Sequence, residues 1–152
     1  MSDKDLAGYC GMYCGSCPMY RASHDKDEKA AFELSFKTRC TVEQIKCEGC
    51  RTSDRFTLSK GCVFRKCAKG RGLESCSFCQ DFPCESLTVF YKEDMRQQGE
   101  AEKNARRIKE IGIDKWLDEA EARWRCKHCD SKISLNAKAC RICKALILPP
   151  QE

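Results

Sequence analysis

Fifteen cysteines stand in a chain of 152 residues, and eight of the fourteen gaps between successive ones hold only two to four residues. Sulfur at such spacing chelates a metal, forms a redox dithiol or holds an iron–sulfur cluster. The last four give the clearest pattern: Cys126-x2-Cys129, ten residues, then Cys140-x2-Cys143. A CxxC turn offers two sulfurs on one side of a tight knuckle. Two knuckles joined by a short connection close a tetrahedral S4 site. Zinc accepts that geometry without redox chemistry, so the spacing predicts a zinc ribbon of short β-hairpins over 126–148. Such knuckles prefer glycine after the second cysteine. Asp130 and Lys144 stand there instead and must adopt the left-handed conformation, which aspartate tolerates better than lysine. His128 lies inside the first knuckle, but four thiols already complete the site, so an exposed histidine is expected.

The other eleven cysteines form smaller groups. Cys10, Cys14 and Cys17 come first, and Cys40 stands alone. "CEGC" supplies Cys47 and Cys50, "GCVFRKC" supplies Cys62 and Cys67, and "CSFCQDFPC" supplies Cys76, Cys79 and Cys84. Each CxxC pair is a half-site needing a partner. The expected pairing joins Cys14 and Cys17 to Cys47 and Cys50. A second site takes Cys76, Cys79 and Cys84 with Cys67 or Cys62. Cys10 is a further candidate ligand, since its spacing allows a site shared with Cys14, but zinc takes only four sulfurs. Held in reserve, it is expected to be the first N-terminal thiol alkylated in the metal-loaded protein. Cys17 precedes Pro18 and Cys84 follows Pro83. Proline favours the first helical position, which puts both sulfurs at helix N-termini where the dipole favours thiolate.

Two enzymatic readings fail on their context. Cys-x3-Cys-x2-Cys is the cluster loop of radical S-adenosylmethionine enzymes, but these need a partial barrel for which the chain has no room. "CGSC" matches a thioredoxin-type motif, but only thirteen residues precede Cys14, too few for a βαβ element. An iron–sulfur cluster held by residues 1–98 stays open as the alternative to zinc.

Together, "YCGMYCGSCPMY", "CEGC" and "CVFRKCAKGRGLESCSFCQDFPCESL" resemble a family of small cysteine-rich proteins from anaerobic bacteria and archaea, known only as a domain of unknown function. Its members open on Cys-Gly-x-x-Cys-x-x-Cys-Pro-x-Tyr and close on Cys-x-x-Cys-x-x-[Phe/Tyr]-Pro-Cys. Some continue, like this chain, through a helical stretch into a zinc ribbon. The resemblance implies that Cys10, Cys14, Cys17, Cys47, Cys50, Cys62, Cys67, Cys76, Cys79 and Cys84 occupy the family's cysteine positions. Cys40 does not, and reads as a buried or incidental thiol. The resemblance brings no activity with it.

Clustered thiols in an odd number suit a reducing compartment better than a disulfide framework. The N-terminus shows neither the basic nor the apolar region of a signal peptide, and no apolar run is long enough to span a bilayer. A cytoplasmic protein without membrane contact is expected. The formal charge of +5 invites a nucleic-acid partner, but it treats every thiol as neutral. Each zinc with four thiolates contributes −2, so three such sites bring the total to about −1. "KGCVFRKCAKGRG", carrying Lys60, Arg65, Lys66, Lys69 and Arg71 without an acid, reads as a screen for neighbouring thiolates. Residues 126–143 are locally basic but lack an aromatic platform for stacking bases.

The elements that position these sulfurs are helices. Residues 25–37 read as one, with Asp25 and Glu28 as a capping pair. Residues 83–98 read as another, burying Leu87, Phe90, Tyr91 and Met95. Ala101, Ala105 and Ile108 lie on the stripe of a third, which Gly112 ends. Asp114 caps a fourth that buries Ile113, Trp116, Leu117, Ala120 and Trp124. Tyr9, Tyr13 and Tyr20 are expected to wall the first cysteines, and His24 to lie at the surface. The sequence therefore predicts a small α-rich, irregular fold stapled by metal. It divides into a cysteine-rich part (1–98), a helical connector (99–125) and a zinc ribbon (126–148). The functional expectation is a non-enzymatic zinc-binding interaction or accessory module with a protein partner. An iron–sulfur or thiol redox protein and a nucleic-acid-binding accessory protein are the alternatives.

Overall fold

A computed structural model describes residues 4–51, 61–93 and 99–148. Among them are six α-helices: α1 (Pro18–His24), α2 (Glu28–Thr38), α3 (Val63–Gly70), α4 (Glu85–Glu93), α5 (Glu100–Ile111) and α6 (Ile113–Arg123). Strand pairing among these residues is limited to isolated antiparallel bridges, Ala7 with Tyr13, Arg125 with Lys132 and Ala139 with Leu146.

The α5–α6 pair is the frame. Ala101, Ala105 and Ile108 are buried along α5, and Ile113, Trp116, Leu117 and Ala120 along α6, as the helical periodicity requires. Trp124, the last of the expected stripe, caps the end of α6 and is only half-buried. Gly112 joins the two at φ 84°, ending α5 with its N–H on the Ile108 carbonyl. Asp114 does not cap α6. Gly112 is the N-cap, with no side-chain bond, and the Asp114 carboxylate lies 3.6 Å from Lys4 Nζ. Arg107 to Glu119 (2.6 Å) and Arg123 to Glu100 (2.8 Å) tie the two helices across their exposed faces. Such pairs contribute about 0.2–1 kcal/mol each.

Two clusters form on this frame. On one side Ala7, Tyr13 and Ile108 pack with the α6 stripe, where the Tyr13 ring meets Trp116 edge-on at 5.8 Å. On the other, Ala101 and Ala105 meet Tyr9, Cys10, Met12, Cys76, Leu87 and Tyr91. The contact depends on Gly11. At φ 96°, a Cβ there would overlap the Ala101 carbonyl and the Ala105 Cβ.

The early helices depart from expectation in their caps. Asp27, not Asp25, caps α2, its side chain accepting the Ala30 N–H at 3.0 Å. Asp25 instead ends α1. The sequence places three acids near this boundary, and the α1 turn consumes the first of them. α4 begins at Glu85, later than periodicity suggested, and buries Leu87 and Tyr91 with Phe90 half-buried. The remainder of the expected helix, with Met95, lies outside the described residues, as does Lys60.

Gly11→Ala combines a left-handed backbone with overpacking. It should destabilise the protein by about 2–3 kcal/mol, read as a lowered denaturant midpoint. Gly70→Ala, in open space near the end of α3, should change it little.

Candidate metal centres

In the last module the same pair of backbone hydrogen bonds closes each CxxC turn. The Cys126 N–H bonds the Ser131 carbonyl and the Asp130 N–H returns to the Cys126 carbonyl, both at 2.8 Å. The second turn repeats this with Cys140 to Ala145 (2.8 Å) and Lys144 to Cys140 (3.0 Å). Asp130 and Lys144 are left-handed, at φ 58° and 62°, as their position after the second cysteine demands. Bridges, bonds and left-handed residues all recur at an offset of fourteen, a two-copy repeat in "RCKHCDSKI" and "ACRICKALI". Reading cysteine spacings alone missed it.

The two turns face each other. The four Sγ atoms of Cys126, Cys129, Cys140 and Cys143 lie within 4.8 Å of one another and could hold a metal ion. Cys126 to Cys143 and Cys129 to Cys140 are each 3.6 Å. His128 is exposed and is not part of the group. Ser131, which the sequence reading did not single out, places its hydroxyl 3.1 Å from both Cys129 and Cys140. That hydroxyl, followed by the N–H groups of Cys143 and Ile142, draws the Cys140 thiol down to about 6. Cys143 goes the other way, to about 12: the Ala145 N–H opposes the shift, but desolvation and three neighbouring sulfurs outweigh it. Among the described residues this is the group whose ligand atoms are that close together.

The N-terminal thiols gather more loosely, in two neighbourhoods. Cys14 and Cys17 flank the 3-10 turn Cys14–Ser16, closed by the Cys17 N–H on the Cys14 carbonyl at 3.0 Å. Pro18 starts α1 directly after Cys17. Cys50 donates its backbone N–H to Cys14 Sγ at 3.3 Å. Its thiol, with burial, raises the Cys14 pKa well above the ordinary thiol value. Burial first, then the Cys17 and Cys50 charges, push Cys47 up to about 11 against the Gly49 N–H.

In the second neighbourhood, Cys76–Phe78 forms the same kind of turn, with Cys79 N–H on the Cys76 carbonyl at 3.1 Å. Ser75 caps it and, with Ser77, is fully buried, the two hydroxyls 3.0 Å apart. The N-cap preference of serine could have marked this brace in the sequence. Burial first, then Cys67, Cys84, Cys62 and Cys79 in turn, push Cys76 up to about 12. Cys84 stands just before α4, its carbonyl accepting the Thr88 N–H. Pro83, joined to Phe82 by a cis peptide bond, precedes it and is not the first helical residue.

Two arginines of the basic stretch touch these groups. Arg71 Nη1 lies 3.3 Å from Cys79 Sγ and 3.1 Å from Asp81. Arg65 is buried and donates to the Cys50 carbonyl at 3.0 Å. Arg51, unremarked in the sequence, covers the Tyr9 ring at 4.2 Å and bonds the Ala7 and Glu74 carbonyls. The tyrosines pack on other partners as well: Tyr13 on Trp116, and Tyr20 on the exposed His24 at 3.9 Å. Cys40 is half-buried, with its Sγ 3.5 Å from the Thr38 carbonyl. Cys10 is corrected. Only 7% exposed, it packs among Met12, Leu87 and Tyr91, whose hydroxyl donates to the Cys10 carbonyl at 2.9 Å. A buried position cannot make it the readiest thiol to react.

The arrangement is that of a helical, cysteine-rich protein with a C-terminal four-thiol group able to hold a metal ion. The chain belongs to a family described as a protein of unknown function (DUF3795), whose family model matches residues 6–89. No curated protein and no solved structure matches it. Among the described residues, no helix is long and apolar enough to cross a membrane.

Brief alkylation of the native protein, mapped by mass spectrometry, should label the half-buried Cys40, which stands outside the grouped thiols, about tenfold faster than the buried Cys10, because reagent must reach the sulfur. Faster labelling at Cys10 would contradict its burial.

Proposed function

We propose that this is a cytoplasmic zinc-binding protein with no catalytic role, an interaction module whose residues 126–148 form a zinc ribbon. The observation that carries the reading is the 3.6 Å spacing of paired sulfurs from opposite knuckles. Zinc–thiolate bonds of about 2.3 Å give tetrahedron edges of about 3.8 Å. Sulfurs that ligate separate irons of a cluster stand farther apart, so a single ion suits this site. Two N-terminal centres complete the scheme. One takes Cys14, Cys17, Cys47 and Cys50; the other takes Cys76, Cys79 and Cys84 with Cys67 or Cys62, and Cys10 stays in the core behind it.

A protein partner is favoured over nucleic acid by the state of the arginines. Arg106, Arg107, Arg123 and Arg125 are engaged by Glu102, Glu119, Glu100 and Glu121 and have little charge left for phosphates. An iron–sulfur cluster remains the second reading for the N-terminal part. It is favoured there by the looser gathering of Cys62, Cys67, Cys79 and Cys84 around Cys76, since the sulfurs of a cluster stand farther apart than those of a single ion.

Elemental analysis and an optical spectrum of anaerobically purified full-length protein separate these readings. Zinc with no visible absorption is expected, and cobalt substitution should give the intense bands of tetrahedral thiolate coordination. Cys140→Ser should lose one equivalent and keep the rest. Unchanged metal content in that variant would refute the ribbon site, and a brown protein would refute zinc in residues 1–98. The full chain is the right sample, because a 1–98 fragment lacks Ala101 and Ala105, which close its core.

A further inference from the structure

We propose that the outward edge of residues 145–148, with the cleft beside Trp124, docks an extended peptide alternating acidic and apolar residues. The inference deepens the protein-binding reading above and rests on it. Its starting point is the fourteen-residue repeat. The Cys140 N–H bonds the Ala145 carbonyl, and the Ile147 N–H bonds the Lys138 carbonyl. Around an antiparallel bridge of this kind, the N–H and C=O of the middle residue point the other way. Leu146 therefore turns its main-chain donor and acceptor outward.

The two copies share a backbone but not a surface. Where the first copy carries His128, Lys132 and Ser134, the second carries Ile142, Leu146 and Leu148. Leu146 and Leu148 are each 79% exposed and Ile142 59%. The first copy shows what such a segment can do. It continues into Ser134 and Leu135, and the Leu135 N–H bonds the Ser16 carbonyl at 2.8 Å, docking that copy onto the helical body. The second copy has the more apolar surface and, among the described residues, nothing covering it.

Charge and shape select the occupant. A cleft of about 620 Å³ is lined by Trp124, Ile133, Leu146 and Leu148. Basic side chains line it and no acid does. Arg123 and Arg125 are already ion-paired, but Lys127 is exposed on the rim. A strand added to the edge presents alternate side chains to opposite sides. The apolar set fills the cleft, and acids next to it in the peptide lie within reach of Lys127 at the cleft's rim. Main-chain bonds supply affinity while the cleft and rim choose the sequence.

The test uses the full-length zinc-loaded protein and fluorescence anisotropy of a labelled peptide, Asp-Val-Glu-Val-Asp-Val. Two controls accompany it: one with lysine for each acid, the other N-methylated at alternate residues. The acidic peptide should bind. Leu146→Glu and Leu148→Glu should each weaken it by about tenfold or more, with zinc content and circular dichroism unchanged at these exposed positions. Equal binding of the lysine peptide, undiminished binding of the N-methylated one, or indifference to both substitutions would overturn the proposal. So would self-association abolished by Leu146→Glu, which assigns the edge to a second copy. Binding only by a chain ending at Leu148 assigns the edge to residues 149–152 and also overturns it. Zinc content of the same sample separates the two failures: zinc present without peptide binding sinks this docking site alone, whereas zinc absent sinks the ribbon reading.

Discussion

Four sulfurs within 4.8 Å of one another cannot all carry negative charge unless a cation sits among them. At such distances like charges repel by an amount that water screens only in part. Without a cation the group distributes its protons unequally: Cys140 is favoured as thiolate and Cys143 is held protonated. The rest of the molecule gathers its sulfurs more loosely, on turns held between short helices. Its helices, seven to twelve residues long, fall below the length at which an isolated helix stands in water. Each needs a tertiary partner, and at both ends of the chain that partner includes a cysteine turn.

The sulfur groups are also joined mechanically. Ser16 lies between Cys14 and Cys17, and its carbonyl accepts the Leu135 N–H from the loop that links the two C-terminal knuckles. The Ile133 N–H returns to the Trp124 carbonyl at the end of α6, and α6 packs on Tyr13, the residue before Cys14. A displacement of the C-terminal turns therefore reaches the first CxxC turn through two short routes, one of hydrogen bonds and one of packed rings. The division into cysteine-rich part, connector and ribbon names segments of sequence, whereas these contacts cross it.

Much of this was legible beforehand, for identifiable reasons. The stripes of α5 and α6 could be read because burial on a helix repeats every three to four residues. The four C-terminal thiols could be read because tetrahedral chelation by tight turns leaves little freedom in spacing. Asp130 and Lys144 were marked as left-handed by the turn they close. The caps were less legible. Asp25, Asp27 and Asp114 are chemically equivalent candidates, and the choice among them depended on where the preceding turn ended. The burial of Cys10 was not legible at all. It follows from the fit of Gly11 against Ala101 and Ala105 and from Tyr91 arriving from α4, contacts between segments some ninety residues apart that no local pattern announces.

The two kinds of CxxC turn explain why the sulfurs differ in exposure. In the C-terminal knuckles the residue after the second cysteine is left-handed, so the chain reverses and both ends leave on the same side. Cys129 and Cys143 remain exposed. In the N-terminal 3-10 turns the second cysteine is extended. After Cys17 the chain runs straight into α1, and after Cys79 it reaches α4 within six residues. α1 packs back over the first turn, and α5 covers the second with Leu87 and Tyr91 of α4 in the same cluster, so Cys14 and Cys76 are buried. The same four-residue motif thus builds an interior in one part of the chain and a surface in the other. The difference is set by the backbone conformation of the residues that follow it.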